Sequence, residues 1–190
     1  MNTIDLGPQL TKSINRIKTR SKTFQTTTYI SEYSTKMRVA MLKLLNKFGF
    51  KKIAEGCDRL VFSFPDGSPY ILKVQLSNPK DLEANARTIL NQNQKEIAFF
   101  NKYKDEYWFK EYFVPILAHD PDGLWLIMPK VSTCKRNSKK ELELYSNAGR
   151  LILDFIRSIK ELYFTTYDFH EDNIGFNGSK YVVLDYGIVE

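Results

Sequence analysis

The chain has 190 residues, 43% of them hydrophobic, with 13 Phe and 11 Tyr; that suits one folded domain or two small lobes and excludes a chain disordered throughout. The net charge of +6 is uneven, since residues 1–52 carry 11 Lys/Arg against two acids, a balance of +9, and the remainder carries −3. No apolar run approaches the ~20 residues of a membrane helix, the opening MNTIDLGPQLTKSINR lacks the apolar stretch of a signal peptide, and Cys57 and Cys134 have no CxxC or His-rich company, which argues against structural zinc and for a reducing, cytoplasmic setting.

Residues 1–33 are rich in Thr, Ser and Lys without a sustained period and read as a basic arm, flexible or weakly helical. A solvated extension is the favoured reading of its charge, and nucleic-acid contact through residues 1–52 the less favoured one. Ser34 or Thr35 is expected to cap a helix through KMRVAMLKLLNKF, where Met37, Met41, Leu44, Leu45 and Phe48 recur at helical spacing before Gly49. Two positions are open for this helix: with the sheet that follows, or, together with the arm, in place of part of a reduced C-terminal lobe. FKKIAEG, RLVFSFP and PYILKVQ read as strands, the last two joined by the turn PDGSP. Residues 81–104 form a broken helical stretch ending in NQKEIAFFNKYK. VPILAHD and LWLIMPK are two further strands around DPDG. KKELELYSNAGRLILDFIRSIKEL is a long amphipathic helix with Leu142, Tyr145, Ile152, Leu153 and Ile156 near one face. A loop TTYDFHEDN, a short strand IGFNG and a strand YVVLD close the series. Sheet and helices segregated in this order make an α+β arrangement.

The chemistry gathers in TYDFHEDNIGFNGSKYVVLDYG. Asp168 precedes Asn173 by five positions, and Asp185 stands twelve further on, after an apolar strand. Phosphoryl transfer to a hydroxyl needs a carboxylate to orient the acceptor and oxygen ligands for Mg²⁺. An aspartate opening a loop can serve the first need. An amide and a carboxylate on adjacent short strands can serve the second. Gly187 permits a sharp backbone change after Asp185.

This pattern resembles the protein kinases. D-x-x-x-x-N followed by D-x-G is their catalytic-loop and metal-loop pair, with TYD standing where they have H-R-D and DYG where they have D-F-G. The form Asp168-Phe-His-Glu-Asp-Asn173 is also similar to that of aminoglycoside and choline kinases, and the whole resembles short kinase-like proteins of tailed phages and related viruses. The resemblance covers residues 48–190. It implies a small antiparallel N-lobe sheet with one helix (residues 34–131, the capped helix included) and a reduced helical C-lobe (132–190). Lys73 in PYILKVQ would be the third-strand lysine that holds the α- and β-phosphates of ATP, and Glu96 on the following helix would orient it. Gly56 would sit at the bend over the phosphates, although the glycine-rich pattern keeps only this one glycine, and Val61 would pack on the base. Met128 would be the gatekeeper, with the Pro129 carbonyl and the Val131 N–H pairing with adenine. Asp168 would be the catalytic carboxylate, Asn173 and Asp185 would hold Mg²⁺, and His170 would brace the loop.

Blander readings stand beside these. Lys73 could be an edge-strand lysine that guards against aggregation. Glu96 could be a solvated helix residue, and Asp168 and Asn173 mere turn formers. The functions implied are an ATP- and Mg²⁺-dependent minimal kinase acting on a protein hydroxyl, a nucleotide-binding pseudokinase that serves as an interaction module, or a small-molecule phosphotransferase.

Overall fold

Met41 and Leu45 lie one helical turn apart and are both fully buried, and they face the largest apolar cluster of the protein. They belong to helix α1 (Ile30–Lys47), which is followed by strands β1 (Lys51–Glu55), β2 (Arg59–Ser63) and β3 (Tyr70–Gln75). Helices α2 (Gln92–Tyr103) and α3 (Tyr107–Tyr112) come next, then strands β4 (Ala118–His119), β5 (Trp125–Pro129) and β6 (Ser132–Thr133). Helix α4 (Lys139–Ser158), a 3₁₀ turn (Glu171–Asn173) and strands β7 (Ile174–Phe176) and β8 (Tyr181–Val183) complete the order. The structure is a computed structural model and describes residues 8, 12, 13, 16, 30–56, 59–65, 67–76, 91–134, 138–158 and 171–186. It is an α+β protein, and no helix among the described residues is long and apolar enough to cross a membrane.

By packing, the chain divides into two compact units: Met1–Gln94 with Ile116–Met128, and Lys95–Pro115 with Pro129–Glu190. The first holds a five-stranded sheet in the order β1-β2-β3-β5-β4, with antiparallel pairing between β1 and β2, β2 and β3, and β4 and β5. Leu60, Phe62, Leu72 and Val74 alternate onto the face that joins Met41, Leu45, Phe50, Trp125 and Ile127 in one core. Each such side chain contributes about 1.5–3 kcal/mol by leaving water. Helix α1 therefore packs with the sheet, not in place of part of a C-terminal lobe. It also begins at Ile30, so Ser34 and Thr35 lie within it and do not cap it. Gly49 closes it with φ +81°, as expected of a glycine after the last helical turn. Ser13 is buried and the Arg16 guanidinium lies 5.1 Å over the Phe48 ring, so at these points the basic arm rests on the first unit.

The second unit is built on aromatic rings and a small sheet in the order β6-β7-β8. Its rings include Phe99, Tyr103, Trp108, Phe109, Phe113 and Tyr186, with Phe109 stacked on Phe113 at 5.2 Å. Those contacts are why residues 95–115 pack with the C-terminal strands, whereas sequence order groups them with the sheet. Helix α4 packs along β7, β8 and the 3₁₀ turn and buries Tyr145 and Ile152. The Tyr145 hydroxyl donates to the Ser132 carbonyl on β6 at 3.1 Å.

Close packing at Gly175 leaves no room for a side chain. A Cβ there would lie 2.4 Å from Val131 Cγ2, 2.8 Å from Leu184 Cδ2 and 3.2 Å from the Ser132 carbonyl. A Cβ on Gly56, by contrast, would meet nothing within 4 Å. Gly175→Ala is expected to destabilise the protein by about 1–3 kcal/mol through overpacking, with Gly56→Ala near neutral, as read by thermal or urea unfolding of both variants.

Candidate functional site

Strand β3 sits between β2 and β5, so Lys73 is on a central strand of the sheet. That removes the edge-guard reading of this lysine. Because side chains alternate along a strand, sending Leu72 and Val74 to the core puts Lys73 on the opposite face. Val61 is its direct cross-strand partner, and Arg59 pairs with Gln75 on the same face. The same alternation on β5 sends Trp125 and Ile127 to the core and Met128 to the Lys73 side. Three of the residues expected at a nucleotide, Val61, Lys73 and Met128, thus share one face of one sheet. Lys73 is only 5% exposed and Met128 1%. Burying a lysine stem and its ammonium is costly unless the charge is met, and Lys73 does have interacting groups. Gly56 closes the β1–β2 turn, donating its N–H to the Arg59 carbonyl at 2.9 Å.

Helix α2 starts with a reciprocal cap. Asn91 Oδ1 accepts the Gln94 N–H at 2.8 Å, and Gln94 Oε1 accepts the Asn91 N–H at 2.9 Å, which satisfies two donors that a helix start leaves open. Gly123 lies against this cap with φ +70°, and a Cβ there would be 2.5 Å from Gln94 Cγ. The end of β3 is tied to the same point, since the Gln75 N–H donates to the Leu124 carbonyl at 2.9 Å and Gln75 Oε1 accepts from the Asn93 N–H at 3.4 Å. Helix α2 carries Glu96, which is fully buried. A solvated surface glutamate is excluded.

In the second unit, β7 and β8 pair antiparallel with Ile174 opposite Val183. The hairpin is closed by Asn177, whose Oδ1 accepts the Ser179 N–H, the Ser179 hydroxyl and the Lys180 N–H at 2.9–3.0 Å, while Gly178 takes φ +100°. Running that register outward, the Leu184 N–H donates to the Asn173 carbonyl at 2.9 Å. Asn173 and Asp185 therefore emerge from neighbouring ends of one ladder, both half-buried. Asp172, also half-buried, belongs to the same end. Glu96 and Asp185 both act on the buried Tyr186 phenol, which is pushed well above its ordinary range, by burial first and then by those two carboxylates.

Of the residues singled out in the sequence, Gly56, Val61, Lys73 and Met128 fall in the first unit, and Glu96, Pro129, Val131, Asn173 and Asp185 in the second. Val131 packs against Gly175. Asp168, His170, Gly187, Cys57 and Asp58 lie outside the described residues, as do residues 77–90. No group of three or more His, Cys, Asp or Glu side chains suited to a metal is present among the described residues; an amide–carboxylate pair such as Asn173 with Asp185 does not belong to that class. Sequence reasoning passed over Asp172, although it adjoins Asn173, and over the anchoring role of Tyr186. Comparison with models of known protein families yields no match, and comparison with curated proteins yields none either.

The cap on α2 gives a direct test of what secures the start of that helix. Asn91→Ala is expected to lower stability by about 1 kcal/mol, visible as a lower denaturant midpoint, while Asn91→Asp retains most of it.

Proposed function

We propose that this protein is a minimal protein-kinase-like phosphotransferase that binds ATP and Mg²⁺ and transfers phosphate to a protein hydroxyl. The observation that carries the reading is the ladder end from which Asn173 and Asp185 emerge, where the Leu184 N–H donates to the Asn173 carbonyl, since an amide oxygen and a carboxylate suit a hard divalent cation. The buried Lys73, on one sheet face with Val61 and Met128, supports it independently: a cation among apolar side chains suits the phosphates and base of a nucleotide. Mg²⁺ held by Asn173 and Asp185 would neutralise charge on the phosphate oxygens. Lys73 contributes a fixed positive charge to the α- and β-phosphates, Val61 and Met128 exclude water from the base, and Glu96 has the role that the resemblance implies. Asp168 accepts the proton of the attacking hydroxyl.

One feature favours a second reading, a nucleotide-binding pseudokinase. The β1–β2 turn offers only Gly56 where three glycines normally let backbone N–H groups wrap the phosphates. Such a turn weakens phosphate positioning without removing the cation, the metal pair or the base-facing side chains.

Thermal unfolding with ATP, with and without Mg²⁺, tests binding first. Stabilisation of about 2.7 kcal/mol is expected at a hundred times the dissociation constant, and Asp185→Asn should remove the part that depends on Mg²⁺. No stabilisation at millimolar Mg²⁺·ATP would overturn the proposal. Transfer of labelled phosphate from ATP to the protein itself or to a lysate, lost in both Asp168→Asn and Asp185→Asn, identifies the kinase. Stabilisation without transfer identifies the pseudokinase.

A further inference from the structure

Tyr186 is fully buried and is among the largest side chains in the protein to be so. Its ring sits against Phe99, Phe109 and Phe113, with centroids 5.5–5.7 Å away and the last two rings edge-on. A phenylalanine would fill that cage equally well. Tyrosine brings a hydroxyl that must shed water to enter it, and such a group is tolerated in an apolar cage only when it finds a partner. The partner is the Val114 carbonyl, to which the Tyr186 hydroxyl donates at 2.8 Å across 72 residues of sequence.

Val114 has a second contact with the same strand. Its N–H donates to the Val183 carbonyl at 3.1 Å, beside a parallel bridge between Phe113 and Val183. The two backbone groups of one residue therefore hold the chain at Val183 and at Tyr186. Between those anchors lie only Leu184, whose N–H is bonded to the Asn173 carbonyl, and Asp185.

We infer that Tyr186 is a positioning residue: its hydroxyl and the Val114 backbone clamp the chain on both sides of Asp185 and fix the place of that residue at the ladder end from which Asn173 also emerges. The clamp stands on the hydrogen bonds themselves, and its consequence for a metal rests on the function proposed above. Groups that orient a metal-binding side chain without touching the metal typically change metal affinity by about 10–100-fold when removed.

Tyr186→Phe keeps the ring and deletes the bond. Two readouts separate the clamp from the nucleotide site. The first needs no ligand: hydrogen exchange at the Val114 and Leu184 amides should accelerate in Tyr186→Phe, with the Val74 amide in the other unit unchanged. The second is titration with Mg²⁺ at fixed ATP, followed by thermal unfolding. The midpoint should move about tenfold higher in Tyr186→Phe, while stabilisation by ATP without metal stays as in the wild type. Phe109→Leu serves as the control for a merely structural role, since it loosens the same cage and spares the bond; it should lower the melting temperature and leave the Mg²⁺ midpoint in place. Unchanged exchange at Val114 and Leu184 overturns the clamp. An unchanged Mg²⁺ midpoint in Tyr186→Phe, or an equal shift in Phe109→Leu, overturns its positioning role. A wild type that ignores Mg²⁺ and ATP overturns the proposed site, and exchange alone then decides the clamp. Should Tyr186→Phe not fold, wild-type exchange decides: Val114 and Leu184 must open together as one protected block.

Discussion

The two-residue repeat of extended chain governs where every candidate side chain of the first unit goes. Once Leu72 and Val74 are committed to the core beneath α1, Lys73 has no choice of face. A slip of one residue would bring the ammonium into a cluster that contains Met41, Leu45 and Phe62, all fully buried, and would expel two aliphatic side chains. The aliphatic burial alone is worth about 1.5–3 kcal/mol per side chain, and an unpaired ammonium in that cluster would add several more. The register between β2 and β3 is therefore held by hydrophobic burial, and the location of the cation follows from it. Met128 inherits its face from the same rule acting on β5.

A different force organises the second unit. Strands β7 and β8 are three residues each, too short to persist by ladder bonds alone. They are held by α4 along them, by the Asn177 turn at one end and by the aromatic cage around Tyr186 at the other. The surface pair of Lys180 with Glu111, 2.6 Å apart, adds about 0–1 kcal/mol at most. Apolar packing and buried hydrogen bonds carry the load, and the polar ladder end is positioned by apolar neighbours. Gly175 shows how closely this is drawn, with Val131 and Leu184 occupying the space a methyl group would need.

How much of this was legible in the sequence varies with the kind of signal. Strands β2, β3 and β5 could be read because short apolar runs bounded by Gly/Pro turns are local signals, and β1, exposed throughout, because Gly49 and Gly56 bracket it. The pairing of β7 with β8 could be read because FNGSK is a hairpin turn, and it sets Ile174 opposite Val183. Helix α3 was not legible: YWFKEY is short, aromatic and without caps, and it forms because Trp108 and Phe109 are buried by distant rings. The start of α1 was also missed: Ser34 and Thr35 carry a capping preference, yet the helix begins at Ile30. The anchoring of Tyr186 depends on a bond spanning 72 residues, and no local pattern encodes it. The burial of Glu96 was equally hidden, because its helical spacing fits an exposed face as well as an inner one.

Electrostatics tie these elements to the proposed chemistry. Glu96 and Asp185 both bear on the Tyr186 phenol, and Asp172 stands at the same ladder end as Asp185. Under the proposed function, a divalent cation at the ladder end would add charge-assisted bonds, so metal binding and local stability would be linked. Tyrosine at position 186 suits that arrangement. A phenol that stays neutral through burial adds no further negative charge, and the bond it donates holds the strand end in place before any cation arrives. A ladder end fixed beforehand pays less ordering entropy when it binds. On the proposed function, that is the advantage of a buried hydrogen bond made by the residue next to Asp185.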